Sequence, residues 1–441
     1  MAKDMTKGNI SEELIKFSIP LILSGLLHQL YSWADAFIVG NVNGEKALAA
    51  IGATNYINSI FLFTILGFTM GLAILAGQQY GRGDRKALKK DIDTFSVFLG
   101  ILSVISVILA MIFVTPLLRF LNTPAEIFED ANSYIKIVLA GIPFIVIYNV
   151  YSAVIRGMGD SKAPFYSVLI SSVLNIILDI VFVFYFKLGV KGAAIATVIS
   201  QALMALFIIY YLCRFYEGFR FSLNIKNIDI NILKEGVKLG IPISIQSSLS
   251  SIGYLALQNF MNGFGVSTVA AITTSYKVDS ILILPMLNLS SAISTFVAQN
   301  IGSDNLKRAK KGLKTGIIMM IIIGLFQTGF VLLFGKYAIS VFNLSEKSLD
   351  IGGRFFISLS RFYTVLGIAM CFRAFLEGAG DVKFTSVGII IVLICQVVFS
   401  YTLVGYYDNM VIAYAEGYAW IVELILFSSR FLFKRKIEKN A

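Results

Sequence analysis

Twelve apolar runs follow one another along this chain, centred near Leu27, Phe63, Val107, Pro143, Asn175, Ala202, Leu249, Ile283, Ile323, Tyr363, Ile394 and Val422. Each is about 20 residues long, enough to cross a hydrocarbon layer as a helix. Hydrophobic residues make up 57% of the sequence and charged residues only 14%, a balance far from that of water-soluble domains. The chain therefore reads as an all-α polytopic membrane protein. Its first run begins after a short polar head (Lys3, Asp4, Lys7, Glu12, Glu13) with no small-residue cleavage site behind it, so we expect it to stay as span 1 rather than be removed as a signal peptide.

The net charge of +11 would suit a nucleic-acid binder, but the placement of the basic residues does not. With twelve spans both termini share a side and the connecting segments alternate. One set of segments, including Lys3, Lys7 and Lys16 at the head, Arg82 to Lys90, Lys307 to Lys314 and the C-terminal tail, holds 27 of the 37 Lys and Arg. The opposite set holds seven: Arg119, Lys136, Lys187, Lys191, Lys336, Lys347 and Arg354. That excess predicts that the first set, and both termini, are cytoplasmic. Cys213, Cys371 and Cys395 have no metal-ligand spacing and read as packing residues.

Displaced by about 221 positions, the sequence matches itself. Lys16-Phe-Ser-Ile-Pro20 recurs as Lys238-Leu-Gly-Ile-Pro242, Ala49-Ala50 as Ala270-Ala271, Gln78-Gln-Tyr-Gly81 as Gln299-Asn-Ile-Gly302, and Asn122 as Asn343. Arg156-Gly-Met-Gly-Asp-Ser-Lys162 returns as Glu377-Gly-Ala-Gly-Asp-Val-Lys383. Six spans per copy is an even number, so the copies are parallel repeats: two six-helix lobes related by a pseudo-twofold along the membrane normal, with a ligand site expected between them. We assign residues 1–216 to the first lobe, 217–234 to a cytoplasmic linker and 235–441 to the second. The paired glycine loops read as tight helix-ending turns. No strand precedes them and no P-loop Lys-Ser/Thr follows, which excludes a nucleotide loop.

Acidic residues inside the spans are costly in lipid and are functional suspects. Asp35 stands in span 1 and Asp179 in span 5, and the repeat replaces them with Leu257 and Ser400, so the six-helix unit does not need them to fold. Tyr31 precedes Asp35, and Asn175 precedes Asp179, by one helical turn on the same face. At 1.5 Å per residue, Asp35, Asp179 and Thr197 of span 6 lie about 10, 6 and 7 Å to the outer side of their helix midpoints. Such an oxygen-only set suits Na⁺, or a proton kept between two carboxylates. Lys277, Asp279, Arg361 and Glu423 of the second half carry equal numbers of each sign and read as structural ion pairs or the lining of a polar cavity. Pro20 is expected to kink span 1. The single histidine, His28, reads as a polar lining residue.

These residues resemble the multidrug and toxic compound extrusion (MATE) family over essentially the whole chain. The resemblance rests on the six-plus-six repeat, the early Pro20, the segment SWADAFIVG around Asp35, the Gln-x-x-Gly words at 78–81 and 299–302, and the paired Gly-x-Gly-Asp loops. Within the family the chain is similar to the DinF-like branch, whose first-lobe cation site pairs an aspartate in helix 1 with Asn-x-x-x-Asp in helix 5 and a threonine in helix 6. Asp35, Asn175, Asp179 and Thr197 match that pattern. The resemblance adds Tyr31, Tyr134 and Asn149 as a surrounding polar network. It provides no counterpart to the other branch's acid in helix 7, since 236–277 contains no acid.

What the resemblance implies is a monomeric antiporter of the inner membrane, without cofactor or nucleic-acid partner. It would export amphipathic, often cationic, small molecules by alternating access as H⁺ or Na⁺ enters, with Asp35, Asn175, Asp179 and Thr197 as the ligands of any Na⁺. The nearest rival is a flippase for lipid-linked saccharides, which should have more spans and a basic cavity for phosphates. A membrane enzyme is disfavoured by the single histidine and the lack of a nucleophile elbow.

Overall fold

The computed structural model describes residues 4–216, 219 and 228–440. Residues 217, 218 and 220–227 of the expected linker lie outside the described residues, as do Lys3, Arg220 and Lys226 and the side chains of Lys434, Arg435, Lys436 and Lys439. Among the described residues all regular structure is helical. In chain order the helices are α1 (Ile10–Arg82), α2 (Arg85–Phe120), α3 (Ala125–Ala140), α4 (Ile142–Gly157) and α5 (Lys162–Asp179), which continues as a π-helix over Ile180–Tyr185. Then come α6 (Gly189–Phe215), α7 (Ile230–Asn262), α8 (Val266–Leu282), α9 (Leu284–Gly302), α10 (Leu306–Ser340), α11 (Glu346–Ser360), α12 (Tyr363–Gly378), α13 (Val382–Thr402), a short α14 (Val404–Tyr407) and α15 (Val411–Asn440).

Among the described residues six helices are individually long and apolar enough to cross a membrane. Three bent pairs raise the number to nine: α3 with α4 at 40°, α8 with α9 at 44°, and α11 with α12 at 46°. The remaining expected spans are α7 and the two arms of α1. α1 breaks at Gly44, whose φ of 77° and ψ of −172° lie outside the helical region. That is a left-handed backbone open to glycine and strained for other residues. Two of the three bends have a proline in the first turn of their second helix, Pro143 in α4 and Pro285 in α9, where the missing N–H interrupts the ladder least. Pro20, where we expected the kink of span 1, lies inside the first arm of α1, and Gly44 marks the turn between the two arms.

The chain divides into two compact units, one built on Pro20–Ser244 and the other on Met5–Ile19 with Ile245–Ala441. Each half therefore lends its first helical arm to the other's unit. The arm 5–19 is held by the second unit's own residues: the Met5 N–H donates to Gln299 Oε1 (2.9 Å), and Asn300 Nδ2 and Arg308 Nε both donate to the Met5 carbonyl (3.2 Å each). The start of α7 is held likewise in the first unit. There the Asp229 N–H donates to Thr94 Oγ1 (3.0 Å), and Lys90 pairs with the Asp229 carboxylate at 3.3 Å. The switch from one unit to the other falls after Ile19 and after Ser244, beside Pro20 and Pro242.

The duplication seen in the sequence extends to the packing. Asp84 caps α2 by accepting from the Ala87 N–H (2.9 Å), and Asn305, its repeat partner, caps α10 by accepting from the Arg308 N–H (3.1 Å). Asn122 and Asn343 take the same left-handed backbone, with φ of 53° and 54°. The two glycine loops end their helices with the same pair of bonds. In one, Gly159 N donates to the Arg156 carbonyl (2.8 Å) and Asp160 N to that of Ile155 (3.1 Å); in the other, Gly380 N donates to Glu377 and Asp381 N to Leu376 (2.8 Å each). Gly159 and Gly380, with φ of 83° and 85°, provide the left-handed position this motif needs.

The first glycine of each loop has a different reason. A Cβ on Gly157 would come within 2.8 Å of Ala76 and 2.9 Å of the Ala73 carbonyl, and one on Gly378 would overlap the Ser294 carbonyl and crowd Val297. Both partners are again displaced by the repeat length. The Asp160 carboxylate then accepts from the Lys162 N–H (2.9 Å) and from the hydroxyls of Tyr216 (2.8 Å) and Tyr211 (3.2 Å). Burial opposes its charge, yet the Tyr216 hydroxyl and the Ala163 N–H hold the carboxyl below the usual carboxylate range.

Because the neighbour at Gly378 is backbone and has no rotamer to yield, Gly378→Ala should destabilise the protein by about 1–3 kcal/mol. The measurement is thermal unfolding in detergent, and an unchanged midpoint would show that the interhelical approach is looser than described.

A buried carboxylate pair as the candidate functional site

Three elements of the first unit carry the candidate residues. α1 brings Tyr31 and Asp35, α5 brings Asn175 and Asp179, and α6 brings Thr197. In each helix the polar groups share the inward face, because residues four apart project together. Asp179 is 0%, Asn175 1%, Thr197 6% and Asp35 9% exposed.

Asp35 and Asp179 meet, their side chains within hydrogen-bonding reach of each other. Ionised carboxylates only accept, so that approach bonds nothing until a proton or a cation enters. Asp35 Oδ1, both Asp179 carboxylate oxygens and Asn175 Oδ1 are buried with no hydrogen-bond donor. Asn175 Nδ2 is likewise unpartnered, as are both oxygens of the buried Asp91, but here two carboxylates lie together, a set of acceptors with the chemistry to hold a proton or a cation. The phenols of Tyr31 and Tyr134 lie in electrostatic range of both carboxylates. His28 stacks on Tyr31, ring centroids 5.4 Å apart and planes 6° from parallel.

Two expected members are engaged elsewhere. The Thr197 hydroxyl donates to the Ala193 carbonyl of its own helix (3.0 Å), and Asn149 Nδ2 donates to Ile145 (2.8 Å). Both are ordinary back-bonds to the preceding turn. The Thr197 oxygen keeps its lone pairs for a cation.

The second unit has its own buried acids. Glu423 pairs with Arg373 (3.3 Å), which also approaches Glu377 (3.7 Å). Asp279 accepts from the Tyr363 hydroxyl, and Glu416 from that of Tyr276 (2.7 Å). Lys277 and Arg361, which the sequence grouped with Asp279 and Glu423, are both exposed. Sequence reading overlooked Glu416. It stands seven residues before Glu423, on the same helical face, in an apolar run where any acid is a signal.

Comparison with known proteins bears on what such a site serves. The MatE family model matches residues 20–181 and again 242–402. The probable multidrug resistance protein YoeA of Bacillus subtilis is 29% identical over 443 residues, covering 98% of this chain and 96% of that protein. YpnP of the same organism, also a probable multidrug resistance protein, is 30% identical over 380 residues, covering 86% and 85%. Among solved structures, a MATE protein in complex with MaL6 superposes with a TM-score of 0.85 at 26% identity, covering 98% of this chain and 97% of that one. The outward-facing conformation of a multidrug resistance MATE family transporter gives a TM-score of 0.88 at 24% identity over 99% and 98%.

A carboxylate buried with no donor destabilises the fold that holds it. Asp179→Leu, near in volume and apolar, should therefore stabilise the protein by about 1–3 kcal/mol, read as a raised unfolding midpoint in detergent. A lowered midpoint would show that Asp179 is a packing residue.

Proposed function

This chain belongs to the MatE family, and we propose that it is a secondary antiporter in which Asp35 and Asp179 carry the coupling ion that drives drug export. The observation that carries the proposal is the buried pair of carboxylates with orphaned oxygens and Asn175 one turn away. With one proton or one Na⁺ between them the pair loses its mutual repulsion. With neither, it repels and favours a conformation that admits water. The free energy of that difference is what an ion gradient can convert into a population shift between the two access states.

Small amphipathic molecules, often cationic, are the proposed cargo, since relatives are named multidrug resistance and multidrug export proteins. Those names favour export over the flipping of lipid-linked saccharides. Exchange of one monovalent cation outward for one proton inward is electroneutral. A second proton, for which two carboxylates leave room, would add about 2.3 kcal/mol per 100 mV of membrane potential. On this reading the excess of basic residues in one set of connecting segments favours cytoplasmic termini, and the whole chain acts as a monomer in the inner membrane. The matching of Asp35, Asn175, Asp179 and Thr197 supports the DinF-like branch.

In proteoliposomes, Asp35→Asn and Asp179→Asn should each lower gradient-driven dye export by about tenfold or more while membrane insertion is unchanged. Imposing a pH gradient and a sodium gradient separately identifies the ion. Export by either variant at the unsubstituted rate would remove the coupling role.

A further inference from the structure

Each element that carries an oxygen of the carboxylate site also carries a small aliphatic side chain one turn farther toward the same end of the unit. On α1 Asp35 is followed by Val39, and on the π-helical continuation of α5 Asp179 is followed by Val183. α6 runs the opposite way, and there Thr197 is preceded by Ala193. All three aliphatic residues are fully buried. They pack with Val190 and Ala47 into an apolar cluster of their own, apart from the main core of the unit. Tyr134 packs against that cluster and lies in electrostatic range of Asp35 and Asp179, so the two layers are adjacent.

The winding of the backbone supplies a second observation. Ile180–Tyr185 begins directly after Asp179 and is the π-helix among the described residues. A π turn holds one residue more than an α turn, is rare, and collects at functional positions. The repeat counterpart in the second half, 401–406, has no π turn but breaks between α13 and α14, and Asp179 is there Ser400. The wide turn therefore accompanies the acid and not the six-helix plan. A return to α winding would rotate the chain beyond Tyr185 by about 100° and Val183 by part of that, carrying it off the cluster.

We propose that Val39, Val183 and Ala193 form a dry gate that closes the Asp35–Asp179 site on the side away from the N-terminus, and that rewinding of Ile180–Tyr185 opens it. Apolar constrictions stop ions by excluding water, not by binding them. A layer of that kind next to an ion site makes occupancy on one side incompatible with leakage to the other. With the N-terminus cytoplasmic, the gate faces outward. The proposal rests on the coupling role of the two carboxylates.

Val39→Ser and Val183→Ser put a hydroxyl into the gate. In proteoliposomes without substrate, each should speed the collapse of an imposed gradient of the coupling ion by about tenfold or more. A water-soluble carbodiimide added from the outer face should label Asp179 faster in the same variants. Adding Asp35→Asn to Val39→Ser should abolish the leak. Ala193→Val, which adds bulk, should slow the labelling, and it covers the case in which a serine variant fails to insert. Labelling and leak at unsubstituted rates, or a leak that survives Asp35→Asn, overturns the gate. Failure of the coupling reading appears separately, as unimpaired export by Asp35→Asn alone, and the labelling rates then still decide the gate.

Discussion

The hydrocarbon core of a membrane provides no hydrogen-bonding solvent, so every backbone group and every buried polar side chain must be satisfied by the protein itself. Nearly all of this chain obeys that rule. Its spans are helices, and its buried serines and threonines bond back to their own helices, as Ser167 does to Ala163 and Ser275 to Ala271. In the second unit Asp279 and Glu416 are met by tyrosines and Glu423 by Arg373. Against that background the oxygens of Asp35, Asn175 and Asp179 are unsatisfied, as are those of Asp91, but only Asp35 and Asp179 are acids that meet each other. Asp35, Asn175 and Asp179 lie where we propose that the coupling ion is held.

How the site is held follows from close helix packing. Without a hydrophobic drive between helices in lipid, small residues that let backbones approach decide which helices pair. Gly157 against Ala73 and Ala76, and Gly378 against Ser294 and Val297, are the same contact made twice. The duplication therefore preserved the scaffold, with its caps at Asp84 and Asn305 and its turns at Asp160 and Asp381, while the two halves diverged in polar content. The first keeps a carboxylate pair without a donor. The second holds Asp279 and Glu416 under tyrosine hydroxyls. The gate and the π turn belong to the half with the donorless pair, as expected if they serve the ion and not the fold.

Much of this was legible in one dimension. The apolar runs set the span positions, and the offset of about 221 residues announced the duplication. Acids at Asp35 and Asp179, set against Leu257 and Ser400, marked the candidate site without any coordinates. Other features were less legible. The turn at Gly44 between the first two spans, where Asn43-Gly44 permits a left-handed backbone, was not singled out in the sequence. Lys277 and Arg361 read as ion-pair partners or the lining of a polar cavity; the structure shows both exposed and gives Asp279 to Tyr363 and Glu423 to Arg373. That the donors of Thr197 and Asn149 bond back to their own helices, leaving only their oxygens free to face a cation, could not be read from the sequence. The exchange of the two helical arms left no trace in composition or period.

The sequence by itself determined that this chain crosses a membrane many times, that it is one six-helix plan used twice, and which residues bear charge where lipid penalises it. Those properties follow from periodicity and transfer energy, which depend only on neighbours along the chain. Only the tertiary structure decided which polar groups find partners. The contact between Asp35 and Asp179, the tyrosines over Asp279 and Glu416, and the aliphatic layer beside the first pair each join residues tens to more than a hundred positions apart. A side chain's satisfaction is set by what the fold brings against it, and that cannot be counted along a single helix.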